Sequence, residues 1–273
     1  MNPMERTLVI FTDLDGTLLD HETYSWEVAR PALNFIKQKA IPLILCSSKT
    51  RAEIEVVRKQ LDNPHPFISE NGGAIFIPEH YFPFSFPFNK KIADDRVIEL
   101  GTPYIGLRQA LRTISQKTGV HLRGYGDLSA REIAAQTGLP LEEASLAKQR
   151  EYDEPFILTG NHEQKNRVLR LIEQQGFSWT RGSRYHHLMG NNDKGKAVKV
   201  LIDLFRRKYD TVTTVALGDS PNDLPMLEVV DYPILVQRPD GCYDDEVRLP
   251  NLKQANGIGP AGWNQALLAL VRN

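Results

Sequence analysis

Apolar residues in this chain fall in short unbroken runs, separated by segments that mix polar and apolar positions at helical spacing. Leu8-Val9-Ile10-Phe11 is the first run and Ile41-Pro42-Leu43-Ile44-Leu45-Cys46 the second; residues 211–217 form another, rich in β-branched side chains. Runs of this length and composition predict buried strands. Between the first two, Trp26, Ala29, Leu33 and Ile36 share one face of a helix predicted over 25–39. A second helix is predicted over 51–61, and the strand–helix–strand rhythm points to parallel βαβ units. Residues 67–77 read as a strand, a glycine turn and a second strand. Residues 81–88 alternate aromatics with prolines, fit neither period and read as a connector.

Beyond the connector the order changes. Strands are predicted over 96–100 and 154–158, with one or two more in 177–189; helices are predicted over 104–117, 129–136, 141–150 and 164–174. The first pattern then resumes. A helix over 194–208 is capped by Asp193, strands follow at 211–217 and 232–236, and a helix over 263–271 closes the chain. The fold expected is α/β: a doubly wound parallel sheet from residues 1–82 and 190–273, with an α+β cap inserted at 83–189.

At 273 residues the chain is long enough for such a core and a smaller second unit. Its net charge of −1 gives no reason to expect a nucleic-acid partner or attraction to an anionic membrane. The two cysteines, Cys46 and Cys242, read as reduced thiols rather than a bridge. The first residues lead into the opening strand without an extended apolar segment, and no apolar run is long enough to cross a bilayer. A cytoplasmic protein is expected.

The candidate chemistry lies where strands end. The first run stops at Asp13-Leu14-Asp15-Gly16-Thr17, two carboxylates one residue apart before a glycine that permits a sharp turn. Unpaired charge out of water is costly, so acids clustered at the end of a buried strand call for a counter-ion. The strand at 211–217 ends in Gly218-Asp219-Ser220-Pro221-Asn222-Asp223. Ligands of parallel sheets collect at the carboxyl ends of strands. If these two strands are neighbours, Asp13, Asp15, Asp219 and Asp223 surround one pocket. Mg²⁺ suits it, since that ion keeps several waters and takes a few carboxylates plus substrate phosphate.

Ser47 and Lys194 each stand at a helix start, where backbone N–H groups favour anions. Each residue also has a plainer reading: Ser47 as a helix cap, Lys194 as a solvated charge, Asp223 as an acid at the positive end of its helix. What structure alone does not require is their common position at strand ends. His186 and His187 are neighbours on a predicted strand and would face opposite ways, which argues against joint metal chelation and leaves packing as a role for one of them.

With these residues in view, Asp13-Leu14-Asp15-Gly16-Thr17 resembles the first motif of the haloacid-dehalogenase-like phosphatases, and Ser47, Lys194 and Asp219-to-Asp223 follow in the order of the other three. The resemblance implies a Rossmann-like core and a catalytic set of Asp13, Asp15, Ser47 and Lys194. Asp13 would be nucleophile and metal ligand, and Asp15 a general acid/base lending the metal its carbonyl. Ser47 and Lys194 would bind phosphate. Asp219 would be a direct metal ligand, with Asp223 acting through water or by orienting Lys194.

Further stretches are similar to mannosyl-3-phosphoglycerate phosphatases: Ser47-Ser48-Lys49-Thr50-Arg51, Glu70-Asn71-Gly72-Gly73-Ala74-Ile75, Arg150-Glu151-Tyr152-Asp153-Glu154-Pro155-Phe156 and Gly259-Pro260-Ala261-Gly262-Trp263. This implies a small phosphorylated glycosyl-glycerate as substrate. Arg181, Ser183 and Arg184, on the cap's glycine turn, are candidates for its carboxylate, because a guanidinium pairs with carboxylate bidentately. Ser48, Lys49, Glu70 and Asn71 would meet it from the core. A solvated charge is the alternative for each cap arginine. Competing functions are a broader sugar-phosphate or glucosyl-3-phosphoglycerate phosphatase, a sugar phosphomutase, which releases no phosphate, and a phosphometabolite-binding module without turnover.

Overall fold

β1 (Thr7–Thr12) lies in the middle of a nine-stranded sheet, as an apolar run with both faces covered requires. The structure, a computed structural model, describes residues 7–182 and 185–271, and every count below refers to these. After β1 come α1 (Arg30–Gln38), β2 (Leu43–Cys46), α2 (Arg51–Leu61), β3 (Phe67–Ser69), β4 (Ala74–Pro78), β5 (Lys90–Ile92) and β6 (Asp95–Glu99). The inserted unit holds α3 (Tyr104–Thr118), β7 (Arg123–Gly124), α4 (Ala130–Thr137), α5 (Leu141–Ala147), β8 (Asp153–Ile157), α6 (His162–Gln174), β9 (Ser178–Arg181) and β10 (His186–Met189). The chain then returns to the core with α7 (Lys194–Lys208), β11 (Val212–Gly218), α8 (Leu224–Leu227), β12 (Tyr232–Gln237), β13 (Lys253–Ile258) and α9 (Pro260–Val271).

The core sheet has the order β13-β12-β11-β1-β2-β3-β4-β6-β5. It is parallel from β13 to β3 and antiparallel from there to β5. Side chains of β1 alternate between two apolar layers. Ile10 joins Ala32 of α1 and Trp263 and Leu267 of α9, while Val9 and Phe11 join Ala197, Leu201 and Phe205 of α7. The chain winds away from β1 in one direction through β2 and β3 and in the other through β11 and β12. Reversal at β1 opens a crevice at the carboxyl ends of β1 and β11, the usual ligand position in such sheets. The cap's own four-stranded antiparallel sheet, β7-β8-β10-β9, packs α3 and α6 on one face.

The boundary expected at 83 is placed too early. Residues 90–99 form β5 and β6, which extend the core sheet from β4. The 81–88 connector also packs on the core, with Phe82 edge-on to Phe205 at 5.3 Å and Phe86 buried beside it. Its aromatics, Tyr81, Phe82, Phe84 and Phe86, therefore cover the α7 layer. β13 was not expected, because Lys253-Gln254-Ala255-Asn256-Gly257-Ile258 buries only Ala255 and an edge strand needs no apolar run. The helix expected over 25–39 becomes α-helical only at Arg30, after a 3₁₀ turn and with Pro31 in its first turn. Both cysteines are free, Cys46 buried and Cys242 exposed, and no described helix is long and apolar enough to cross a membrane.

Candidate active site

β1 and β11 are paired in parallel with Thr12 opposite Leu217, so the residues that follow them emerge side by side. Asp13 donates its backbone N–H to the Leu217 carbonyl at 3.0 Å. Carboxylate oxygens of Asp13, Asp219 and Asp223 lie within 4.8 Å of one another, all three buried. Gly16 turns the chain at φ +80, and a Cβ there would come within 2.8 Å of an Asp219 oxygen, so only glycine fits. From below, the Trp263 indole donates to the Thr12 hydroxyl at 2.9 Å, and that hydroxyl donates to the Asp13 carbonyl at 2.7 Å. The Gly259-to-Trp263 stretch thus buttresses the end of β1.

Lys194, fully buried at the start of α7, sits between two of the acids, with Nζ 2.6 Å from Asp13 Oδ1 and 2.6 Å from Asp223 Oδ1. Burial disfavours its charge, but the two acids outweigh this and hold the ammonium above the usual lysine range. The other oxygen of Asp223 accepts from the N–H groups of Asp219 and Ser220 at 3.0 and 3.2 Å, so both its oxygens are engaged. No lysine, arginine or histidine described lies in ion-pair range of Asp219; Thr17 donates to it at a long 3.4 Å. Burial, with Lys194 opposing and Asp223 adding to it, pushes the Asp13 carboxyl up to about 7. Burial and the neighbouring Asp223 and Asp13 push that of Asp219 well above the carboxylate range. Three carboxylates therefore face one ammonium. A divalent cation among them would remove that excess, and all-oxygen donors suit a hard ion.

Asp15 points another way. Its Oδ2 is 3.0 Å from Lys49 Nζ, while Oδ1 is buried without a hydrogen-bond partner. Burial works against the Lys49 charge, but Asp15 and Glu53 hold it, and Tyr24 covers the ammonium at 5.0 Å. Ser47, 1% exposed at the end of β2, accepts from the Lys49 N–H at 3.2 Å. A cleft between core and cap is lined by Asp13, Asp15, Ser48 and Lys49 on one side and by Arg150, Tyr185 and His187 on the other.

Glu70 and Asn71, expected beside a substrate, lie at the seam between core and cap. The Glu70 carboxylate accepts from the N–H groups of Glu151 and Tyr152 at 2.9 and 2.8 Å, with Arg150 3.6 Å away. Asn71 donates to Asp153 at 2.6 Å and accepts from Asn222 at 3.0 Å. Both have left-handed backbone, φ 49 and 53, and neither lines the cleft. Arg181 pairs with Glu246 at 2.9 Å on the exposed side of the seam and does not line the cleft either. Ser183 and Arg184 lie outside the described residues. Among the groups missed by sequence reasoning, Asp153 and Arg150 are buried and ion-paired at 3.1 Å, and His187 Nδ1 is 2.9 Å from Asp153. The signal available was strand alternation, which sends His187 to the face opposite Leu188 of the cap core.

The profile of the haloacid dehalogenase-like hydrolase family matches residues 10–239, more than half of the chain. The chain belongs to the haloacid dehalogenase-like hydrolases. It is 52% identical over 263 residues, 96% of its length and 97% of the relative's, to a glucosyl-3-phosphoglycerate/mannosyl-3-phosphoglycerate phosphatase of Methanococcoides burtonii. A mannosyl-3-phosphoglycerate phosphatase of Pyrococcus furiosus is 42% identical over 228 residues, covering 84% of this chain and 90% of that one. Among solved structures, a Thermoplasma acidophilum protein superposes with a TM-score of 0.69 at 19% identity, over 98% of this chain and 99% of that one. That last likeness is one of fold. A hydrolase of this family with a sheet-edge cluster of acids short of positive charge is the frame for the function that follows.

Proposed function

We propose that the chain is a Mg²⁺-dependent phosphatase that hydrolyses mannosyl-3-phosphoglycerate, and its glucosyl counterpart, to the glycosylglycerate and phosphate. The observation that carries this reading is the buried trio Asp13, Asp219 and Asp223 around the ammonium of Lys194, with Asp13 also lining the core–cap cleft. The relatives at 52% and 42% identity are named for these substrates, and the first is named for both sugars. Free thiols at Cys46 and Cys242 support a reducing compartment, and with it the cytoplasm.

Asp13 attacks phosphorus and displaces the glycerate oxygen, giving an aspartyl-phosphate. Lys194 holds Asp13 by Oδ1, which leaves the other oxygen to act as nucleophile, and it adds positive charge where the phosphoryl oxygens gather. Ser47 joins it at the end of β2. Asp15 gives its proton to the leaving oxygen; the same group, now ionised, takes a proton from the water that hydrolyses the aspartyl-phosphate. Its carboxyl turns away from the acid trio, with Oδ2 on Lys49, and Oδ1, which has no partner, is the oxygen left to pass the proton. Asp223, with both oxygens occupied, orients Lys194. Mg²⁺, when held by Asp13, Asp219 and the Asp15 carbonyl with Asp223 nearby, supplies charge neutralisation for the phosphoryl group.

Phosphate release from mannosyl- and glucosyl-3-phosphoglycerate, glucose 6-phosphate and mannose 6-phosphate, ranked by kcat/KM with Mg²⁺, tests the reading. Both glycosyl-3-phosphoglycerates are expected to lead. A rank for them no higher than that of glucose 6-phosphate sinks the assignment.

A further inference from the structure

We propose that His187, oriented by Asp153, is the cap group that recognises the carboxylate of the glycerate moiety and so selects glycosyl-3-phosphoglycerates over neutral sugar phosphates. The proposal rests on the phosphatase reading above. It starts from where β10 sends the ring. His186 packs beside Phe156 and Trp179 with the cap core, while His187, one residue on, turns to the cleft that has Asp13 and Asp15 on its far wall.

The ring is held by one nitrogen and open at the other. Nδ1 lies 2.9 and 3.0 Å from the two oxygens of Asp153, which is fully buried. An ionised carboxylate can only accept, so Nδ1 carries the hydrogen and donates it. Asp153 is itself fixed, by Arg150 at 3.1 Å and Asn71 at 2.6 Å, so the acceptor is in place before any ligand arrives. Nε2 has no hydrogen-bond partner among the described residues. Gly182 stands next to it: a Cβ built there would lie 3.3 Å from Nε2, so a larger side chain would crowd this nitrogen.

The lysine and the arginine that line the cleft are already engaged. Lys49 pairs with Asp15 and Glu53, and Arg150 with Asp153 and the Ser48 carbonyl. A ligand carboxylate at Nε2 would face the ring from the side opposite Asp153, with a charge-assisted hydrogen bond at each nitrogen. A sugar phosphate without the acid offers Nε2 no such partner. Asp153 acts here as a positioning residue, through His187.

The test compares mannosyl-3-phosphoglycerate with the analogue whose carboxylate is replaced by a hydroxymethyl group, in the wild type, His187→Ala and His187→Gln. The wild type should favour the acid. In His187→Ala that preference should fall about 10- to 100-fold, mostly through KM, the scale of a lost hydrogen bond to a charged group. His187→Gln, close to the ring in volume and able to donate a neutral hydrogen bond, should fall between, and it carries the test if the alanine variant does not fold. Equal losses on both substrates, or an unchanged preference in both variants, overturn the proposal and leave the phosphatase reading standing. A wild type that uses both compounds alike overturns the role of His187 alone, whereas one that releases phosphate from neither overturns the phosphatase reading itself.

Discussion

Two buried clusters of charge meet at the same edge of the sheet, and they are put together differently. At the seam, Glu70 and Asp153 face Arg150 and His187, and the oxygens of Glu70 accept hydrogen bonds from the cap backbone. At the ends of β1 and β11, three carboxylates face one ammonium, and Asp219 has no cation of its own among the described residues. In the first cluster each acid has partners within the protein, so it can act as structure, joining core to cap. The second leaves a surplus that burial makes expensive and that a ligand must meet. Clustered buried acids alone would not separate the two; the count of partners does.

Substitutions can break this contrast. Asp13→Asn should lower kcat by roughly 10⁴-fold or more while preserving the fold, as expected for a nucleophile; stopped phosphate assays and circular dichroism check both halves. Asp219→Asn should raise the Mg²⁺ concentration needed for half-maximal activity by about 10- to 100-fold. The same change should make the metal-free protein more stable, because it removes a buried carboxyl whose ionised form the surrounding acids and burial disfavour. Thermal melts in chelator, set against melts in Mg²⁺, read this directly, and a lower melting temperature in chelator would contradict the surplus.

The seam should answer in the opposite sense. Burial, with Asp153 adding and Arg150 and the hydrogen bonds from Tyr152 and Glu151 opposing, pushes the Glu70 carboxyl up to about 7. A raised acid binds its proton more readily in the folded state than in the unfolded one. Its contribution to stability is therefore complete below the ordinary carboxylate range and is lost as pH rises through about 7. Glu70→Gln should flatten that fall in denaturant titrations across the window, and should cost about 1–3 kcal/mol at low pH where a hydrogen bond to the cap weakens. A mutant as pH-dependent as the wild type would remove Glu70 from the account. The smallest effect is expected at Arg181→Ala. Its pair with Glu246 is exposed, 46% and 61% at the two side chains, and its loss should cost under about 1 kcal/mol and change kcat/KM only a few-fold.

Local signals made much of the molecule legible. The apolar runs became β1, β2, β11 and β12, and Asp193 caps α7 by accepting from the Lys196 N–H at 2.8 Å. Asp13, Asp219, Asp223 and Lys194 were readable because each follows a strand or opens a helix, and parallel strands bring such points to one edge. The cap residues were harder. Arg181 looked suited to a carboxylate, yet it has Glu246, 65 positions on, as its partner. Glu70 and Asn71 sit in a motif, but their side chains answer to residues some 80 positions away.

What the amino-acid order determined by itself was therefore the set of strands and helices and the side chains standing at their ends, since period, capping and turn chemistry act over a few residues. Where the cap begins, which charges are balanced, and which nitrogen of His187 is left open were decided only by the folded chain. Those properties depend on distances between segments remote in sequence, and a charge becomes structural or reactive only once its partners are in place.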